Sequence, residues 1–463
     1  MDQDEPQRYQ YSSARKKEIE AWWVLTRVCR RWRSVIFGSP CRLNMQLVCT
    51  TRTPAKDVLD IWPPWPLIIH CDGPYQTEAV DNVIVILERS DRVRQIILEY
   101  ISGSPLAKVL AAMQVPFPEL TRLEIESYDK MVPVLADSFL GEFAPRLQEL
   151  RLRGIPFPGL RKLLLSATHL VEIHLCDIPH SGYILPEVIA TALSTLTSLA
   201  SLSLEFRLPR PHPDHESRRP PPSTRPVLLL TSLTFKGVGE YLDDLVARID
   251  APRLCRLSIT LFNDIVFDTP RLVQFIGRIP TLKALKKAEI KFGDDVVGVD
   301  LSSQTSDFGF GEAGELSVKI PCKDIDWQLS ALEQVFTSCL PPLSMLENLY
   351  IFEPHYSRLD LQDNIESTLW LDLLGSFTTV KNVFVSEKFA PRIVPALQEL
   401  VDSRTTEVLP TLQNIFLEGN HNYLSLASKS FRRFVAARQA TGHHTALFGW
   451  TIDYIDRDYF GSD

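Results

Sequence analysis

The stretch Pro145-Arg-Leu147-Gln-Glu-Leu150-Arg-Leu152 constrains this chain more than any other, because its leucines stand first, fourth and sixth in a unit that recurs. The same frame reads Val93, Ile96, Leu98; Leu120, Leu123, Ile125; Leu170, Ile173, Leu175; Leu199, Leu202, Leu204; Leu230, Leu233, Phe235; and Leu254, Leu257, Ile259. Two degraded copies follow, Leu285, Ala288, Ile290 and Ala313, Leu316, Val318. Three clean ones close the series: Leu346, Leu349, Ile351; Val380, Val383, Val385; and Leu412, Ile415, Leu417. First positions are separated by 27, 27, 23, 29, 31, 24, 31, 28, 33, 34 and 32 residues, which is the signature of repeat architecture.

In an extended segment alternate side chains share a face, so the fourth and sixth residues point one way and the fifth and seventh the other. One short strand cannot bury that face alone. Stacked copies bury a continuous apolar ribbon, pair their edges and return the intervening chain on the outside as helices or loops. The expected fold is α/β: a solenoid with a curved parallel sheet inside and helices and loops outside. The pattern resembles the leucine-rich repeats of F-box-type proteins over residues 93–420. The Asn or Cys that such repeats often place ninth occurs only at Asn420, so no amide ladder is expected there.

From Arg15 to Phe37 the periodicity turns helical, with Trp22, Leu25, Val28, Cys29, Trp32, Val35 and Ile36 at three- and four-residue steps, until Gly38-Ser-Pro40 ends it. The segment Val24-Leu-Thr-Arg-Val-Cys-Arg-Arg-Trp-Arg-Ser-Val-Ile36 looks like the later part of an F-box. Its continuation through Thr53-Pro54 and Val58–Ile69 resembles F-box-like proteins abundant in fungi, in which irregular leucine-rich repeats follow directly. The Leu-Pro pair and first helix with which F-boxes open are absent from residues 1–20. The resemblance implies a substrate-recognition subunit of an SCF-type cullin-RING ubiquitin ligase. It would bind the Skp-type adaptor through Leu25, Val28, Cys29, Trp32 and Ile36, and a protein substrate through the solenoid. Two other readings of the helix are a cap on the first coil and, from its Lys and Arg residues, a nucleic-acid or nuclear-import patch.

The expected organisation is an F-box-like segment over 1–50, a solenoid over 51–423 with a Pro-rich insertion at 208–226, and a capping helix and tail over 424–463. Strands are expected at 43–48 and 66–70. Outer helices are expected at 79–88, 106–113, 186–193, 241–248, 272–278, 327–336, 369–374 and 392–401. The segment Ala446–Trp450 either adds a strand or packs on the cap. Pro209–Pro226 holds seven prolines in eighteen residues and reads as an exposed loop.

The net charge of -8 splits into nine Lys and Arg against five Asp and Glu in residues 1–50, and -12 on the remainder, which disfavours a polyanion partner for the body. No apolar run reaches the ~18 residues of a membrane helix, and the first residues lack a signal-peptide pattern. The eight cysteines form no CxxC, and Cys176, Cys255 and Cys322 read as small buried thiols. A cytoplasmic or nuclear protein without cofactor or metal follows. Gly309-Phe-Gly311-Glu-Ala-Gly314 spells a dinucleotide fingerprint but precedes a strand instead of opening a helix, and reads as a loop. No spacing supplies a catalytic set, so no enzyme is expected.

The surface that the repeats do specify is the strand face opposite the core. Its fifth positions include Tyr350, Phe384 and Phe416 on consecutive copies, and the third positions there are Asn348, Asn382 and Asn414, with Phe352 adjoining. Aromatics beside hydrogen-bonding groups are what protein-binding hot spots use, so these seven residues are the candidate substrate contacts. The alternative is that the C-terminal segment folds over and buries them.

Overall fold

The structure, a computed structural model, describes residues 47–50, 65–71, 77–129, 132–157, 160–208, 224–262, 269–303, 314–341, 343–353, 367–403, 408–418 and 427–450, together with 29–31, 34, 55 and 59. They group into two compact units, Met1–Tyr183 and Ile184–Asp463. Within each, most strands are followed by a return segment, as in leucine-rich-repeat solenoids.

The first unit carries six parallel strands in sequence order: β1 (Leu47–Cys49), β2 (Leu67–Cys71), β3 (Val93–Leu98), β4 (Arg122–Glu126), β5 (Glu149–Arg153) and β6 (Glu172–Ile178). Its returns include α1 (Thr77–Leu87), α2 (Gly103–Ala112) and α3 (Leu160–Ser166). The repeat frame is visible in the register: Leu123 pairs with Leu150, and Leu150 with Ile173. All three are buried, as are the first-position Leu120, Leu147 and Leu170.

A second device fixes that register. The Thr121 carbonyl accepts from the N–H groups of Gln148 and Glu149, and the Gln148 carbonyl from those of Val171 and Glu172. Second-position carbonyls thus each clamp two N–H groups of the next copy. The clamp recurs in the second unit, from Lys286 to Glu347 and Asn348, from Glu347 to Lys381 and Asn382, and from Lys381 to Gln413 and Asn414. There it is reinforced by threonines, because the Thr379 and Thr411 hydroxyls donate to the carbonyls of Leu346 and Val380, both at 2.9 Å.

The second unit has ten strands: β7 (Ser201–Phe206), β8 (Ser232–Gly237), β9 (Arg256–Leu261), β10 (Lys287–Phe292), β11 (Val296–Ser302), β12 (Glu315–Pro321), β13 (Asn348–Phe352), β14 (Asn382–Val385), β15 (Asn414–Glu418) and β16 (Ala446–Trp450). They do not lie in sequence order. β12 pairs with β9, β10 with β13, and β11 runs antiparallel between them. The cause is local: only three residues separate β10 from β11, and the Gly293 N–H donates to the Val296 carbonyl at 2.8 Å. A parallel crossover needs about a dozen residues, so so short a link makes a hairpin. The two degraded copies therefore form strands but exchange places.

The returns of this unit include α4 (Pro186–Leu193), α5 (Gly239–Val246), α6 (Pro270–Arg278), α7 (Pro280–Lys283), α8 (Ile325–Gln334), α9 (Ser367–Gly375), α10 (Ala390–Ser403) and α11 (Ala427–Ala440). Trp370 on α9 is fully buried against Phe292 and Phe389, 5.8 and 6.0 Å away between ring centroids. The last helix does not cap the final coil. It lies beside α10, with Gln398 Nε2 donating to Ser430 Oγ at 3.0 Å, and the chain then adds β16 as a further strand parallel to β15.

Three cysteines depart from expectation. Cys176, Cys255 and Cys322 are partly exposed, while among the described residues Cys49, Cys71 and Cys339 are buried. Cys176 stands level with Arg153, whose side chain lies on the solvent face, and Cys255 precedes its strand with Sγ 3.2 Å from the Thr231 carbonyl. Residues 209–223, most of the Pro-rich insertion, lie outside the described residues, as do residues 304–313 with the start of the glycine motif. Gly314 is followed at once by β12. Among the described residues no helix is long and apolar enough to cross a membrane.

Candidate functional site

The fifth-position side chains of β13 to β16 stand in one row. Tyr350 pairs in register with Phe384, Phe384 with Phe416, and Phe416 with Phe448. Their rings stack face to face, with centroid separations of 4.1, 4.4 and 5.2 Å and interplanar angles of 3°, 7° and 22°. Tyr350, Phe384 and Phe416 are half-buried and Phe448 is exposed. The segment Ala446–Trp450 extends the row as a further strand, and residues 451–463 lie outside the described residues.

Beside the rings runs a row of amides at the third positions. Asn382 Nδ2 donates to Asn348 Oδ1, and Asn414 Nδ2 to Asn382 Oδ1, each at 2.7 Å. An amide ladder therefore exists, at the third position and not the ninth, because in-register parallel strands set identical side chains one strand spacing apart, within hydrogen-bonding reach. Stacked rings occupy each other's faces, so the strip presents ring edges, which carry the positive side of the aromatic quadrupole. Each asparagine also has a second amide hydrogen beyond the one used in the ladder. The strip is thus a row of weak and strong donors on a rigid sheet.

One end of the row meets charge. Lys287 Nζ lies 4.9 Å from the Tyr350 ring centroid, and Lys291 Nζ 5.7 Å from that of Phe352. Both ammonium groups are held by carboxylates: Lys287 by Glu289 at 2.7 Å, and Lys291 by Glu289 at 3.2 Å and Asp300 at 2.7 Å. Sequence reasoning missed this cluster because Asp300 enters from the antiparallel β11, which the repeat frame does not register.

The strand face of the first unit is different in kind. Arg122 bridges Glu124 at 2.6 Å and Glu149 at 3.4 Å, and Arg151 bridges Glu149 at 2.5 Å and Glu172 at 3.2 Å. His174 Nε2 stands 3.4 Å from Glu172, yet burial and the neighbouring Arg151 outweigh that carboxylate and hold its pKa below the usual histidine value. The charges satisfy each other across the strands. At the strand starts a groove of about 630 Å³ is lined by Arg92, Arg94, Glu119, Arg146 and His169 among others, of both signs.

The described residues contain no group of three or more His, Cys, Asp or Glu placed to hold a metal ion. Burial pushes the Cys49 thiol up to about 11, the opposite of an activated nucleophile. Of the expected adaptor contacts, Leu25, Val28, Trp32 and Ile36 lie outside the described residues, and Cys29 is exposed. The structure brings together all seven of the expected substrate contacts and adds Phe448. That residue escaped the frame because its copy has His444 first and Gly449 sixth, leaving Leu447 as the only aliphatic member.

No protein-family model matches this sequence, and neither does any curated protein. Among solved structures the chain is similar to the leucine-rich repeat-containing protein LegL7 from Legionella pneumophila, at 13% identity and a TM-score of 0.27, over 74% of this chain and 90% of that one.

Proposed function

We propose that this protein is a non-catalytic binding scaffold whose aromatic and amide strip holds a protein partner. The observation that carries the reading is the stack of Tyr350, Phe384, Phe416 and Phe448, which keeps four large rings on a solvent-facing sheet face and ready-ordered for contact. Preordered aromatic groups lose little entropy on binding, which is why hot spots use them. Ring edges and spare amide hydrogens suit a segment laid along the strip with its backbone carbonyls or carboxylates turned inward.

A finer reading joins the scaffold to an SCF-type ubiquitin ligase, with the protein partner as substrate and the N-terminal helix on a Skp-type adaptor. It is supported by the sequence Val24–Ile36, with its valine-cysteine pair, basic residues and Trp32. In that role the protein makes and breaks no bonds. It raises the concentration of substrate near the ligase. The test is reconstitution of the intact chain with a purified Skp-type adaptor. A complex that Trp32→Ala weakens by about 2 kcal/mol or more, and that Phe384→Ala leaves unchanged, supports the ligase link. Absence of any complex removes that link and leaves the scaffold. Proximity labelling in cells tests the scaffold itself: loss of the same neighbours with Phe384→Ala and with Phe416→Ala supports the strip, and an unchanged set rejects it.

A further inference from the structure

The sheet of the second unit ends at β16, and among the described residues no strand pairs with its outer edge. The fourth-position residues of β13, β14 and β15, Leu349, Val383 and Ile415, are 0%, 5% and 2% exposed, whereas their counterpart Leu447 is only half-buried and Phe448 is 45% exposed. By contrast, the first strand of the first unit buries Leu47 and Cys49. Edge strands are usually blunted by a charged residue, a proline or a bulge, and Ala446-Leu-Phe-Gly-Trp450 contains neither charge nor proline and pairs with β15 without a bulge.

The backbone of this strand has a definite polarity. The Ala446 N–H donates to the Gln413 carbonyl at 2.8 Å, so Ala446 addresses β15. In a strand the N–H and C=O of one residue point to the same side and those of the next to the other, so Phe448 also addresses β15 while Leu447 and Gly449 point away. Those two residues carry the outward donors and acceptors of the segment.

We propose that two copies of the chain associate by antiparallel pairing of β16, about a two-fold axis at Phe448. In that register Leu447 faces the partner subunit's Gly449, and by symmetry the reverse. Every outward group of these two residues is then used, in four hydrogen bonds. Phe448 meets the partner subunit's Phe448 at a non-hydrogen-bonded site, where side chains come closest, with Cα atoms about 4.5 Å apart. The ring stack of one copy runs on into the other. An axis at Leu447 leaves Gly449 without a partner inside β16 and sets Phe448 opposite the partner subunit's Ala446, and an axis at Gly449 leaves Leu447 without a partner inside β16. The pairing is isologous and closes as a dimer. It is independent of what the strip binds.

The test uses the full chain in sedimentation over a wide range of concentration. The expected result is a reversible dimer at high concentration that Phe448→Lys returns to monomer, since the substitution sets like charges opposite each other at an exposed position. Phe448→Cys under mild oxidation is expected to give a disulfide-linked dimer beyond the level of the parent chain, because ~4.5 Å between Cα atoms suits a disulfide. Ala446→Cys, about 14 Å from its own copy in this register, is expected not to. A parent chain that stays monomeric throughout overturns the proposal, as does a dimer in which Phe448→Cys fails to cross-link or Ala446→Cys cross-links equally well.

Discussion

The rings of Tyr350 and Phe384 lie 4.1 Å apart between centroids and 3° from parallel, and Phe384 repeats the relationship with Phe416 at 4.4 Å. Phe384 therefore has a ring on each face. Each such pair contributes roughly 0.5–1.5 kcal/mol beyond area burial. Phe384→Ala is expected to lower the unfolding free energy by about 2 kcal/mol in denaturant titration, and Phe384→Tyr to retain most of it. Equal losses for the two variants would show that the stack contributes nothing specific.

Asn382 both donates to Asn348 Oδ1 and accepts from Asn414 Nδ2. Asn382→Asp keeps the acceptor but turns a carboxylate oxygen toward the Asn348 oxygen, at a cost of about 1–3 kcal/mol. A protonated aspartic acid donates again, so the folded state raises that carboxyl's pKa. The deficit should be full at neutral pH and shrink as pH falls through the raised value. Asn382→Leu should show a deficit without this pH dependence. If both variants trace the same pH profile, the amide ladder is not what holds these strands.

How much of this was legible in the sequence follows from what each feature depends on. Leu123, Leu150 and Ile173 came out aligned as expected, because alternation within a strand and repetition between strands are both written in residue order. The same logic put Tyr350, Phe384 and Phe416 in one row. β11 was invisible because its Val297, Val299 and Leu301 run against the frame, and the exchange of β10 and β12 follows from the Gly293 turn, a feature three residues long. Phe448 was lost where glycine replaced the sixth aliphatic residue. The row of Asn348, Asn382 and Asn414 was legible at the third position; that these amides bond to one another depends on the in-register pairing of β13 to β15, which residue order alone does not fix. Exposure of Cys176 was legible too, because it is the seventh residue of its copy and alternation turns it away from the face of Ile173 and Leu175; its reading as a buried thiol ran against the frame.

His174 gives the chain a specific acid sensitivity. Its pKa in the fold lies below the ordinary 6.5, through burial first and Arg151 second, with Glu172 opposing. The unfolded chain thus takes up the proton before the folded one, and stability rises with pH across that interval. The contribution is complete above about 6.5 and is lost as pH falls below it toward the folded value. His174→Gln should flatten that part of the stability profile, so that acidification below neutrality costs the parent chain more than the variant. Direct titration by NMR should place His174 below 6.5. A value above it would mean that Glu172 dominates, and the pH slope would reverse.

Arg438 decides how firmly β16 is seated. Its side chain is fully buried on α11, with Nε donating to Thr445 Oγ1 at 3.1 Å and its terminal nitrogens reaching the carbonyls of Val408 at 3.5 Å and Pro410 at 3.4 Å. Thr445 in turn donates to the Leu412 carbonyl at 3.2 Å. The guanidinium thus ties the last helix, the chain entering β15 and the residue just before β16, a span that a planar fork covers and a single ammonium does not. Hydrogen bonds to a charged group contribute about 1.5–3 kcal/mol each, so Arg438→Lys should destabilise the chain by about 2 kcal/mol or more despite keeping the charge. Because the lost bonds converge on Thr445, the amides of β16 should open before those of β13 and β14, and hydrogen exchange should show them accelerated first. Uniform acceleration across all four strands would place Arg438 in the general core and leave β16 held by its pairing with β15 alone.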